Sequence, residues 1–190
     1  MNLIILIPLQ KFIFVKKVFL VILFFALTGC KSNHINTSLK NLEETFVVDI
    51  KNCVDNAQCN LEIIPNSHLI IKQDEFKNSY IELEKRTNTV IKYQLDKRKV
   101  PNTADSNYTE LLYIEIDNYN KTLILKDEEL QRVKMIYGRL CFCKGSSGYF
   151  KVKKGHLELI LKKNHLTLSA NFSVENIPQI TTQIHEIITL

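Results

Sequence analysis

His165-Leu-Thr-Leu-Ser-Ala-Asn-Phe-Ser-Val174 decides the fold class. Leu166, Leu168, Ala170, Phe172 and Val174 alternate with His165, Thr167, Ser169, Asn171 and Ser173, and this period of two predicts a strand with one wet face. Just before it, Leu157, Leu159 and Leu161 alternate with His156, Glu158, Ile160 and Lys162. Lys163-Asn164 between them reads as a tight turn, so the pair forms a hairpin. Residues 149–153 precede another turn at Lys154-Gly155, which predicts a three-strand meander.

Earlier stretches read the same way: 46–50, 60–64, 68–72, 80–83 and 90–95, then 108–116 and 122–125 around an Asp117-Asn118-Tyr119-Asn120 turn. Residues 133–143 are apolar on both faces, as in a central strand. Residues 97–107, with Pro101, form the longest expected loop. Asp127 to Met135 opens with acids and predicts a helix. In 180–190, Ile180, Ile184, Ile187 and Ile188 fit a helix, while Ile180, Thr182, Ile184 and Ile188 fit a strand; β-branching favours the strand. About ten short strands with frequent turns predict an all-β fold, an antiparallel β-sandwich first and a calycin-like β-barrel second.

The start of the chain carries a second pattern. Lys16 and Lys17 precede an apolar run, residues 18–26, and then Leu27-Thr28-Gly29-Cys30. A charged start, a greasy centre and small residues before a cleavage point make an export signal. The apolar run is too short to span a bilayer, which needs about 20 residues. Residues 1–10 are separately apolar, so translation starts either at Met1 or near Val15. Leu27-Thr28-Gly29-Cys30 resembles the lipobox of bacterial lipoproteins. The resemblance implies a diacylglycerol thioether on Cys30, usually with a third acyl chain such as palmitate on the new amino group, and two or more chains anchor stably. It also implies a place in the cell envelope, and Lys31, where an Asp would retain the protein in the inner membrane, points to the outer membrane. Whether the domain faces the periplasm or the surface stays open. Residues 1–29 then form a signal peptide, 30–43 the lipidated cysteine and a polar tether, and 44–190 a single β-rich domain.

Net charge is +5, from 25 basic and 20 acidic residues. The leader holds Lys11, Lys16 and Lys17 and no acid, so the segment from Cys30 carries 22 basic and 20 acidic residues. That near-balance does not call for nucleic acid as a partner. Residues 132–163 are nevertheless basic, with nine Lys or Arg against Glu158. Solubilising lysines at turns account for such a run, and so does a patch for lipid head groups or acidic glycans.

Beyond Cys30 four cysteines remain: Cys53, Cys59, Cys141 and Cys143. An even count outside the cytoplasm predicts disulfides. Cys53–Cys59 is the simplest bridge. Cys141 and Cys143, two apart on a strand, need a bend to join, and cross-pairing is the alternative. The spacings are not those of common zinc sites, and no Cys-x-x-Cys redox motif is present.

No Gly-x-Ser-x-Gly, His-Glu-x-x-His or phosphate-loop motif occurs, so no catalytic residue, cofactor or metal is assigned. His156 and His165 flank the expected hairpin strand and are candidates to meet across it. Size, β-content and cysteines also resemble envelope lysozyme inhibitors of the lipoprotein type. Their loop reads Ser-Gly-x-x-Tyr, whereas here Tyr149 follows Ser147-Gly148 directly, so no inhibitory residue is carried over. The expected function is non-enzymatic binding of an envelope protein or glycan, with Phe142, Lys144, Tyr149, Phe150, Lys151, Lys153 and Lys154 as the candidate contact surface. The alternatives are an inhibitor or immunity-type lipoprotein against a hydrolase, and a carrier of lipid or another hydrophobic ligand.

Overall fold

The computed structural model describes residues 43–103, 105–117 and 122–190. The leader, the lipobox with Cys30, nearly all of the expected tether and Asn118-Tyr119-Asn120 of the expected turn lie outside them. All described residues fall in one compact unit.

The fold is an all-β antiparallel sandwich. The described residues form twelve strands: β1 (Phe46–Ile50), β2 (Ala57–Ile64), β3 (Ser67–Gln73), β4 (Ser79–Lys85), β5 (Asn88–Lys97), β6 (Tyr108–Asp117), β7 (Leu123–Lys126), β8 (Ile136–Cys141), β9 (Gly148–Lys151), β10 (Lys154–Lys162), β11 (His165–Ser173) and β12 (Gln183–Thr189). One sheet runs β1-β2-β5-β6-β8-β9, a second β12-β11-β10-β7, and β3-β4 is a separate hairpin.

The alternation that opens the sequence analysis is β11. Leu166, Leu168, Ala170 and Phe172 are buried between the sheets, against Leu61, Ile63, Ile91, Leu95, Leu112 and Ile114 of the other sheet. Each such large side chain contributes roughly 1.5–3 kcal/mol by leaving water. Tyr137 of β8 meets Phe172 at a centroid distance of 6.0 Å, joining the two layers.

The six-stranded sheet is covered on both faces at its centre. On its outer face Val90, Leu111, Tyr113 and Ile136 pack against Leu69 of the hairpin. β6 is therefore buried continuously from Glu110 to Ile116. Leu112, Ile114 and Ile116 look into the sandwich, while Leu111 and Tyr113 look toward the hairpin.

Three local expectations need correction. Residues 133–143 are not one strand. A 3-10 helix, Asp127–Val133, ends at Lys134 in the left-handed region, and β8 starts only at Ile136. The expected meander of residues 149–174 is divided: β9 pairs with β8, and the chain crosses at Val152-Lys153 to the other sheet. The meander is β10-β11-β12, whose last strand is the one expected within 180–190. Gly155 is not a turn residue but lies inside β10. A Cβ there would sit 2.2 Å from the Asn171 carbonyl oxygen and 2.7 Å from the Phe172 Cα, at φ +142°. Only glycine lets the two backbones approach this closely. Gly155→Ala should therefore cost about 2 kcal/mol or more in a urea unfolding titration, since backbone cannot yield as a side-chain tip can.

Candidate functional site

Register places both disulfides at one end of the sandwich. Ile50, Cys59, Leu95, Glu110, Arg139 and Gly148 form one row across the six-stranded sheet. Beyond that row the chain turns back three times, through residues 51–56, 98–107 and 142–147. Cys53–Cys59 and Cys141–Cys143 are both bonded, with Cα separations of 5.5 and 5.2 Å. The second bridge is made at a bend after β8, and the bend turns Phe142 outward to 86% exposure. Val54 and Val100 are exposed on the other two turns. Lys51, Lys97, Arg98, Lys99 and Lys144 are exposed around them, with Asp55 and Asp105.

A buried polar chain braces this end. Glu110 is fully buried, and its carboxylate accepts the backbone N–H groups of Ile180 and Thr181 at 2.7 Å each. Tyr108 donates its hydroxyl to the same carboxylate at 2.5 Å and accepts from Arg139 Nε at 3.2 Å. The Arg139 guanidinium goes on to donate to the Ser146 carbonyl at 3.2 Å and to the Ser146 hydroxyl. One continuous chain thus ties loop 142–147 to the segment before β12. Burial first, then Glu110, pushes the Tyr108 and Tyr137 hydroxyls to ionise above their usual range. An open groove of about 600 Å³ lies beside the first disulfide, between Cys53, Val54 and Tyr93 on one side and Ile180, Thr181 and Gln183 on the other.

A second cluster sits on the outer face. Glu115 accepts the Leu69 N–H at 2.7 Å, Asn88 Nδ2 at 2.5 Å, His68 Nδ1 at 3.0 Å and Lys134 Nζ at 3.2 Å. Lys134 Nζ lies 3.3 Å from both ring nitrogens of His68. It also donates to the Leu69 carbonyl at 3.2 Å. Lys134 adopts φ 41°, ψ 50° at the end of the 3-10 helix, a conformation usually left to glycine. The amine explains the residue choice, because no glycine could reach Glu115. Burial raises the Glu115 carboxyl, but the Leu69, Asn88 and Lys134 hydrogen bonds and the lysine charge outweigh it and hold the group below 4.5. A groove of about 590 Å³ runs past this cluster along Leu69, Ile71, Ile136 and Lys151.

Of the residues expected to form one contact surface, Tyr149, Phe150, Lys151, Lys153 and Lys154 line one depression, and Phe142 and Lys144 lie outside it. Phe142 and Lys144 lie on the bridged loop and are exposed. Tyr149 lies on the outer face over Gly138, where a Cβ would come within 2.8 Å of its ring, and faces Tyr113 at 6.4 Å. Phe150 packs on the main core. Lys151 borders the outer groove. Lys153 and Lys154 lie at the crossover, and the depression they share with Tyr149, Phe150 and Lys151 is also lined by Glu128 and Glu175. His156 and His165 do not meet: His156 pairs with Asn171 and His165 with Lys162, at opposite ends of the β10-β11 hairpin. Among the described residues no group of three or more His, Cys, Asp or Glu could hold a metal ion, and no helix is long and apolar enough to cross a membrane. Sequence reading missed Glu110, Glu115, Lys134 and the role of His68. The signal was two glutamates inside an apolar strand buried on both faces.

Comparison with protein-family models, curated proteins and solved structures finds no match for this chain.

Glu110→Ala leaves the Thr181 and Ile180 N–H groups and the Tyr108 hydroxyl without their acceptor, and should cost about 3 kcal/mol or more in denaturant titration. A carboxyl held below its unfolded value of 4.5 contributes fully above that pH, and the contribution is lost as pH falls through the folded value. Glu115→Gln should therefore unfold more easily at neutral pH than the parent chain. Its stability should also decline less steeply between pH 5 and pH 3, as thermal melts across that range would read.

Proposed function

We propose that the chain is an envelope lipoprotein, anchored through acylated Cys30 in the outer membrane, whose sandwich binds an envelope protein or an acidic glycan and does not catalyse a reaction. The supporting observation is polarity. The domain begins at β1, whose Phe46 pairs with Ile63. β1 then runs toward the row of Ile50, Cys59 and Glu110. A lipid attached ahead of β1 thus joins the domain at the end opposite the two disulfides. The braced loops with Val54, Val100 and Phe142 point away from that attachment, amid exposed lysines suited to an acidic partner.

The titratable clusters support binding over catalysis. Glu110 is sealed from solvent and engaged with backbone amides. His68, Glu115 and Lys134 hold the hairpin in place. Neither cluster offers a free base facing a free nucleophile. The inhibitor or immunity reading draws on Phe142, an exposed apolar side chain on a bridged loop that could enter a hydrolase cleft. A carrier draws no comparable support, since Tyr137, Phe172 and the leucines around them fill the space between the sheets.

Mass spectrometry of the protein purified from native membranes tests the anchor. The expected N-terminal peptide begins at diacylated Cys30, and Cys30→Ser should leave an unacylated chain. An intact leader with unmodified Cys30 would overturn the envelope assignment. Crosslinking in intact cells tests the contact end: a partner captured by the parent chain should be lost in Phe142→Asp with Lys144→Glu, and undiminished capture would contradict this end as the contact.

A further inference from the structure

We infer that Cys141–Cys143 is a thiol–disulfide exchange site that reacts with the cysteine thiols of a partner polypeptide. This rests on the reading of the braced end as the contact end and adds the partner's chemistry to it.

The two bridges differ in what surrounds them. Cys59 is buried at 6% exposure, the Tyr93 hydroxyl donates to its sulfur at 3.1 Å, and Cys53 packs against the same core. Cys141 and Cys143 are both half-buried and belong to neither core cluster. They differ also in what they constrain. The entropy removed from the unfolded chain grows with the length of the closed loop, and residues two apart are neighbours already. The 142–147 loop is held independently, by Arg139 on Ser146, by Ser147 Oγ on the Arg139 carbonyl at 3.1 Å and by the Ser146 N–H on the Cys143 carbonyl at 3.2 Å. Opening the bond therefore leaves the loop's frame standing.

The surroundings favour exchange. Lys144 follows Cys143 directly and is exposed, and Arg139 lies two residues before Cys141. Positive charge stabilises the thiolate that leaves when the bond opens. Phe142, between the two cysteines, offers an apolar contact to a polypeptide that brings its thiol to the sulfurs.

The reaction balances without another reagent. A partner thiolate attacks one of the two sulfurs, and the bonding pair leaves with the other as a thiolate. The mixed disulfide is resolved by a second partner thiolate. The partner's two thiols become a disulfide, losing two electrons and two protons, and Cys141 and Cys143 gain both as thiols.

The test uses the full chain in detergent, a short peptide with two cysteines flanking apolar residues, and glutathione. Differential alkylation read by mass spectrometry follows each cysteine pair. Cys141–Cys143 should open on the order of tenfold faster than Cys53–Cys59, with the peptide recovered oxidised in equal amount and the circular dichroism spectrum unchanged. Phe142→Ala should slow the peptide reaction and leave the glutathione reaction alone. In Cys143→Ser, the remaining Cys141 thiol should trap a mixed disulfide with the oxidised peptide. Equal opening of the two bridges, or equal slowing of peptide and glutathione by Phe142→Ala, would overturn the assignment. Neither readout involves Cys30 or an envelope partner, so a failed exchange assay is distinguishable from a failed anchoring or crosslinking result.

Discussion

The structure depends on two carboxylates carried by one strand. Glu110 and Glu115 of β6 are five residues apart, an odd separation that sends them to opposite faces of the six-stranded sheet. Each accepts backbone N–H groups of the segment that covers its face. Glu110 takes Ile180 and Thr181 from the segment before β12, and Glu115 takes Leu69 from the hairpin. A buried carboxylate is costly alone, and so is a buried backbone N–H without an acceptor. Paired, each removes the other's penalty. Arg139, through Tyr108, and Lys134 bring positive charge to the two sites.

This arrangement gives the layers a fixed relation that apolar packing alone leaves loose. The leucines between the sheets supply most of the driving force, but burial is not directional. Charge-assisted hydrogen bonds are, so they select the position in which the 174–182 segment and the β3-β4 hairpin dock. The same chain runs from Glu110 through Tyr108 and Arg139 to Ser146, so the clamp inside the sandwich also shapes the loop that carries Phe142. The core and the proposed contact end are physically one system.

Legibility in the sequence followed the range of the interaction. The alternation from His165 to Val174, the turn at Lys163-Asn164 and the Cys53–Cys59 bridge are local, and each was readable from neighbouring residues. Tyr108 to Ile116 was readable as a strand, but its pattern does not say what covers either face. The partners of Glu110 and Glu115 lie as far as 71 and 47 positions away. Gly155 looked like a turn residue because the close approach that requires it comes from Asn171 and Phe172 on another strand. Lys134 broke an apolar run without any glycine or proline to announce it, since its backbone conformation is held by a contact made through its amine. The expected contact residues divide for a related reason: Tyr149, Phe150, Lys151, Lys153 and Lys154 line one depression, whereas Phe142 and Lys144 sit on the bridged loop outside it.

The claim that β6 clamps both layers is tested most directly by amide hydrogen exchange at Leu69, Ile180 and Thr181. None of the three donates within a strand ladder, so loop-like exchange would be their ordinary behaviour. The clamp predicts protection comparable to the central amides of β5 and β6, reaching global unfolding. Exchange as fast as that of loop 142–147, with β5 and β6 still protected, would contradict it.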